Sequence, residues 1–183
     1  MVGNDHPQVL RFLESMAKHG ERAAAERFAE EYPLPETADP GTGFEWAEHL
    51  CAFLEEHYDA GTVKAIRMDC ACGPQPADYA GIKALYEKGA DPAAFAEKVN
   101  ALDPGFTLEY DGASYTLTYP ECYCPFVSSS PAPLPAAWCC CTLGYTRRMY
   151  GDIFGTEVQV ELLDSVKTGG ETCRIRITPE KRG

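Results

Sequence analysis

The hydrophobic pattern of this chain changes period once, near Phe106, and that change limits the architectures open to it. Before it, apolar residues recur three or four apart: Val9, Phe12, Leu13 and Met16, then Ala24, Phe28 and Ala29. Residues so spaced share one face of a helix, so two amphipathic helices are predicted, broken near Gly20. Trp46, Leu50, Phe53 and Leu54 form a third stripe between Phe44 and Tyr58. Helices over 77–88 and 92–102 follow, the second with Asp91 placed as cap and Pro92 at the first helical position. From Phe106 the run TLEYDGASYTLTY alternates apolar and polar residues around Asp111-Gly112, a dipeptide suited to a tight hairpin, so 106–119 reads as two antiparallel strands. Helical spacing returns over 136–154, with Trp138, Thr142, Tyr145 and Met149 on one side, and ends at Gly155. VQVELLDSV and TCRIRIT, joined by KTGGE, make a second hairpin in which Val158, Val160 and Leu162 share a layer with Ile175 and Ile177. Cys173 has the parity of Ile175 and is expected to be buried. Helices first, then hairpin, helix and hairpin, define an α+β fold with an antiparallel sheet.

The stretch YPLPETADPGTG, residues 32–43, carries three prolines and reads as a linker or long loop with no helix in it. The expected organisation is an N-terminal helical segment, 1–60, and an α+β ligand-binding-type domain, 61–183, together forming one compact unit.

Charge narrows the partners. Sixteen Lys and Arg against 28 Asp and Glu leave −12, which repels phosphate backbones. Nucleic acid is not an expected partner. No run reaches the ~18 apolar residues of a membrane span, and MVGNDHPQVL lacks the basic-then-apolar order of a secretory signal. The expected setting is cytoplasmic, with a small-molecule ligand, no membrane, and a homodimer left open.

The nine cysteines are unevenly spread, eight of them at or beyond Cys70. Three groups have one residue between cysteines: Cys70 and Cys72, Cys122 and Cys124, and Cys139 and Cys141 with Cys140 between. In extended chain, residues two apart point to one side and can present two thiols to one metal or small molecule; in a helix they splay by roughly 200°. Near a helix N-terminus, however, thiolates are stabilised and become better ligands or nucleophiles. Zinc or another soft metal held by Cys70, Cys72, Cys122, Cys124, Cys139 and Cys141 is one reading. Redox or nucleophilic use is a second. Packing as small hydrophobes is a third, and the one assigned to Cys51 beside Leu50.

Other chemistry is sparse. His6, His19, His49 and His57 lie in the helical part, apart from the cysteine groups, and read as solvated helix residues. No phosphate-binding glycine loop, serine-hydrolase elbow or paired-histidine metalloprotease helix occurs. Asp69, Glu121, Glu161 and Asp164 lie near cysteines or strand ends, where each could serve as acid, base or oxygen ligand; surface solvation competes with that role.

Residues 144–177 resemble the C-terminal part of 4-vinyl reductase-type domains and their relatives, among them L-2-amino-thiazoline-4-carboxylate hydrolases. Gly144 and Tyr145, Gly155, the alternating strand, the Gly169-Gly170 turn and Cys173 carry the resemblance. It implies helices against a curved antiparallel sheet and a pocket for a small, often apolar or aromatic ligand. Sensor members hold zinc through a glutamate and three cysteines. The last cysteine matches Cys173; the other positions fall on Ser165, Leu162 (with Glu161 adjacent) and Arg147. A zinc site would then have to be rebuilt from Cys122, Cys124, Cys139 and Cys141.

Three functions follow. The first is a sensor-like small-ligand domain with Phe126, Trp138, Tyr145 and Cys173 in the pocket wall and a cysteine-rich, metal-binding mouth. The second is a hydrolase of a small cyclic C–N substrate, using a thiolate or a metal-bound water with Asp69 or Glu121 nearby. The third is a structural zinc module presenting acidic helices to a partner.

Overall fold

A computed structural model describes residues 5–89 and 91–180, in which seven helices precede or interleave with one open, four-stranded antiparallel sheet. The fold is α+β, with the helices first. No helix among the described residues is long and apolar enough to cross a membrane. The chain divides into two compact units, Met1–Ala71 with Tyr123–Gly144, and Cys72–Cys122 with Tyr145–Gly183.

The first unit is helical: α1 (Pro7–Lys18), α2 (Arg22–Glu31), α3 (Pro40–His57), α4 (Ala60–Asp69) and the first half of α7 (Ala136–Phe154). Two of these helices open with the same short sequence, Asp-x-Gly-Thr. Asp39 accepts from the backbone N–H of Gly41 and Thr42, and Asp59 from those of Gly61 and Thr62, while each threonine hydroxyl donates to the same carboxylate at 2.6 Å. These caps satisfy donors a helix start leaves open and hold both carboxyls below the usual range, chiefly through the threonine hydroxyl. The first corrects the reading of 32–43, because α3 begins inside that stretch with Pro40 in its opening turn. The second marks α4, which the apolar pattern alone did not single out. Val9, Phe12 and Met16 of α1 are fully buried with Leu50 and Leu54 of α3 and Ile66 of α4. Phe12 meets Phe28 and Trp46 edge-on, and the Ser15 hydroxyl donates to the Ile66 carbonyl at 2.7 Å. Each fully buried apolar side chain contributes roughly 1.5–3 kcal/mol.

In the same unit α7 passes α4 closely at Gly144. A Cβ there would overlap the Met68 carbonyl, so glycine is the residue that permits the approach.

The second unit holds α5 (Pro76–Glu87), α6 (Pro92–Asn100), the second half of α7, and strands β1 (Thr107–Tyr110), β2 (Tyr115–Tyr119), β3 (Val158–Asp164) and β4 (Cys173–Pro179) in the order β1-β2-β4-β3. The first hairpin turns at Asp111, whose carboxylate accepts from Ala113 and Ser114, and at Gly112 with φ 99°. In the second, Val160 pairs with Ile177 and Leu162 with Ile175, the predicted layer. Phe154 of α7 stacks on Tyr115 of β2 at 5.3 Å, fixing that end of the helix on the sheet. At the sheet border, Asn100 donates to the Leu108 carbonyl at 2.9 Å and accepts from its N–H at 2.7 Å, closing both backbone groups of an edge residue. Cys173 is half-buried rather than buried, because it is the first residue of β4, opposite Tyr119 at the end of β2.

Candidate functional site

The feature of the first unit that elementary electrostatics does not anticipate is a buried charge. Arg67 lies on α4 among the apolar positions Val63, Ile66 and Cys70 and is 1% exposed. Its guanidinium donates to the carbonyls of Ala137 (3.4 Å) and Trp138 (3.1 Å) in the opening turn of α7, and its Cζ stands 4.5 Å from the Trp138 ring centroid. Trp138 is equally buried, and its indole N–H has no acceptor among the described residues. Phe126 stacks on that indole at 5.6 Å and 21°, and sits so close to Gly43 of α3 that a Cβ there would touch its ring. His6 and Trp46 complete the aromatic surroundings, 5.3 and 6.1 Å from Phe126.

Sulfur surrounds the cation. Burial is the largest influence on Arg67 and opposes its charge; Cys141, Cys70, Cys51 and Cys140 oppose that once they ionise, which leaves its pKa above the ordinary value. Burial in turn raises the thiols, against the attraction of Arg67: Cys51 is pushed up to about 12, and Cys70, Cys140 and Cys141 are raised as well. At neutral pH these four are uncharged thiols. Arg67 therefore stands among polarisable dipoles, and no carboxylate among the described residues forms an ion pair with it. Taking an ion from water costs several kcal/mol unless an opposite charge compensates. Two carbonyls and a cation–π contact of about 0.5–2 kcal/mol offset only part of that.

The predicted cysteine groups are thus redistributed. Neighbours in space come from different groups: Cys70 and Cys141 lie within electrostatic reach of each other, as do Cys141 and Cys124. Cys72 is exposed and belongs to the second unit, where it lies near Tyr145; Cys122 and Cys139 are half-buried. Among the described residues no three His, Cys, Asp or Glu side chains gather as metal ligands would, so the expected zinc or soft metal finds no support there. The carboxylates are engaged elsewhere: Asp69 faces His19 at 3.3 Å, Glu161 accepts from Arg176 at 2.7 Å, Asp164 accepts from the Ser165 N–H, and Glu121 is exposed.

Of the four predicted wall residues, Phe126 and Trp138 meet in the first unit. Tyr145 and Cys173 lie in the second, both within electrostatic reach of Tyr119, whose phenol burial pushes up to about 12. Two further α7 hydroxyls there, Thr146 and Tyr150, are fully buried without a partner among the described residues. Sequence reasoning missed Arg67. The available signal was its position: with Val63, Ile66 and Cys70 it completes the apolar stripe of α4, where a charge is out of place.

The fold and this cluster define an α+β domain whose helical unit buries a cation against an indole amid thiols. The chain belongs to a family of unknown function, DUF6144, whose model matches residues 8–183. No curated protein matches it. Among solved structures it is similar to an H-NOX protein from S. oneidensis, crystallised as a mutant in the Fe(II) ligation state, at 12% identity over 97% of each chain with a TM-score of 0.47.

Proposed function

We propose that this protein is a small-ligand-binding, sensor-like domain whose ligand presents an anionic group to Arg67 and Trp138. One observation carries the reading: a fully buried guanidinium without a paired carboxylate adjoins a fully buried indole N–H without an acceptor. Both are donors, so one guest answers both deficits: a carboxylate or similar oxyanion. The stacked rings of Phe126 and Trp138 suit an apolar or aromatic body attached to that anion, as in most small-molecule sites. The resemblance of residues 144–177 to 4-vinyl reductase-type domains, with their small-ligand pockets, points the same way. The thiols raised by burial around Arg67 give soft, polarisable walls, and Cys141 among them is a poor thiolate nucleophile at neutral pH. Nothing in the site favours a structural zinc module.

The test is spectroscopic. Trp138 and Trp46 are the chain's two tryptophans, so a Trp46→Phe variant reports Trp138 alone. Aromatic carboxylates, with the matching amides as controls, should quench or shift that emission and raise the thermal midpoint. Arg67→Met should abolish the response. If no oxyanion in the series moves the emission, while Arg67→Met is more stable than the unsubstituted protein, Arg67 is only a structural burden and the reading fails.

A further inference from the structure

The sheet ends in β1 on one side and β3 on the other, and hydrogen-bond parity shows what each offers. In an antiparallel pair, alternate residues turn their backbone N–H and C=O to the partner strand, and the residues between turn theirs away. The Glu180 N–H donates to the Glu157 carbonyl at 2.9 Å, and Pro179, which has no N–H to give, stands opposite Val158. Gln159 and Glu161 therefore bond to β4, and Val158, Val160 and Leu162 turn their backbone groups outward. Among the described residues, those outward groups take part in no hydrogen bond. The β1 side differs, since Asn100 already occupies Leu108.

The side chains select the occupant. Val158 and Val160 are buried, Leu162 is half-buried, and Gln159 and Glu161 are exposed on the opposite face. A second β3 laid antiparallel against the first has few registers open to it, because the outward groups of both must face each other. Centred on Glu161, the pairing sets that carboxylate against its own copy; centred on Gln159, it sets Glu157 against Glu161. Like charges directly opposite destabilise a sheet. Centring on Val158 or Leu162 leaves half of each strand without a partner. Centred on Val160, the pairing sets Val160 against Val160, Val158 against Leu162 and Gln159 against Glu161, and no like charges meet. Gln159 gives one amide N–H to Glu180 at 3.4 Å and keeps a second for the carboxylate opposite, which Arg176 holds from its other side at 2.7 Å. The three facing pairs exchange about six backbone hydrogen bonds, and the half-buried Leu162 gains cover from Val158 of the second copy.

We infer that β3 is a homodimer interface: two copies of this chain pair antiparallel through residues 158–162 about a two-fold axis at Val160, joining their sheets into one. The formal charge of −12 on each copy opposes the association, so the dimer tightens as salt rises. The interface lies wholly in the second unit and does not rest on the Arg67 reading.

Sedimentation equilibrium of the full chain, with amide hydrogen exchange at the lowest and highest concentrations, tests it. The chain should pass from monomer to dimer between micromolar and millimolar concentration. The amides of Val158, Val160 and Leu162 should exchange fast in the monomer and slowly in the dimer, while those of Gln159 and Glu161, bonded to β4, stay slow in both. Gln159→Lys sets an opposite charge against Glu161 at both ends of the pairing and should tighten the dimer roughly three- to tenfold; Gln159→Glu should loosen it by a similar factor. Position 159 is exposed, so both variants keep the fold. The inference is overturned if the chain stays monomeric throughout, if a dimer forms without slowing these amides, if they are slow already in the monomer, or if the two variants leave the dissociation constant unchanged. It also falls if an extended valine–threonine peptide protects these amides on a chain that does not self-associate, because the edge then serves a foreign strand.

Discussion

Gly144→Ala is the substitution on which helix propensity and tertiary structure disagree in sign. In the interior of a helix alanine is favoured over glycine by about 1 kcal/mol, so propensity alone makes the variant more stable. In this fold the added methyl would overlap the Met68 carbonyl, and that atom belongs to the α4 backbone and cannot swing aside. Helix α7 must then retreat from α4. Overpacking of this kind costs about 1–3 kcal/mol, and the retreat also stretches the bonds from Arg67 to Ala137 and Trp138, already 3.4 and 3.1 Å long. A bond from a charged donor is worth about 1.5–3 kcal/mol, so weakening one adds a further 1–2 kcal/mol. Set against the propensity gain, the expected net loss is about 2–3 kcal/mol. Urea denaturation should show the midpoint falling with the slope unchanged. Gly81→Ala in α5 is the internal control: a Cβ there meets nothing within 4 Å, so it should gain up to about 1 kcal/mol. Equal stabilisation by both substitutions would refute the claim that glycine is required where α7 crosses α4.

Three further outcomes are expected. His6 caps α1 through Nδ1, which accepts from the Gln8 N–H only when the ring is neutral; burial first, then Arg11, lowers its pKa below 6.5. Its contribution, about 0.5–2 kcal/mol for a cap, is present above the unfolded pKa and lost as pH falls through the folded one. Stability curves of the unsubstituted protein and His6→Asn should therefore diverge below pH 6.5, and parallel curves would count against it. With a thiol reagent followed by mass mapping, exposed Cys72 should react first; Cys51, fully buried and pushed up to about 12, should react only at the rate of unfolding, and earlier labelling would contradict its placement. Asn100→Ala removes two hydrogen bonds to Leu108 and should cost about 2 kcal/mol in denaturant titration; a change within error would show that the pair contributes nothing.

Much of the architecture was legible because period and turn chemistry agree. Alternation about Asp111-Gly112 gave the first hairpin, and the spacing over 136–154 gave α7 with its observed bounds. The start of α3 was hidden by three prolines, although Asp39-Pro40 repeats the Asp91-Pro92 signal that was read correctly. Helix α4 escaped notice because one position of its apolar stripe is Arg67. The same substitution concealed the site, since a lone arginine in a sequence reads as a solvated charge. Cysteine spacing drew attention to sulfur, but it describes neighbours along the chain. The thiols around Arg67 come from α3, the end of α4 and α7, three elements that only packing brings together.

The amide of Asn100 copies a peptide unit, offering one donor and one acceptor where the next strand of the sheet would begin. A border residue so occupied has nothing left with which to recruit a second copy of the chain, and open borders are where sheets spread from molecule to molecule. On this side the residue that closes Leu108 to strand pairing thus belongs to a helix, and losing Asn100 would leave both backbone groups of Leu108 open to another strand.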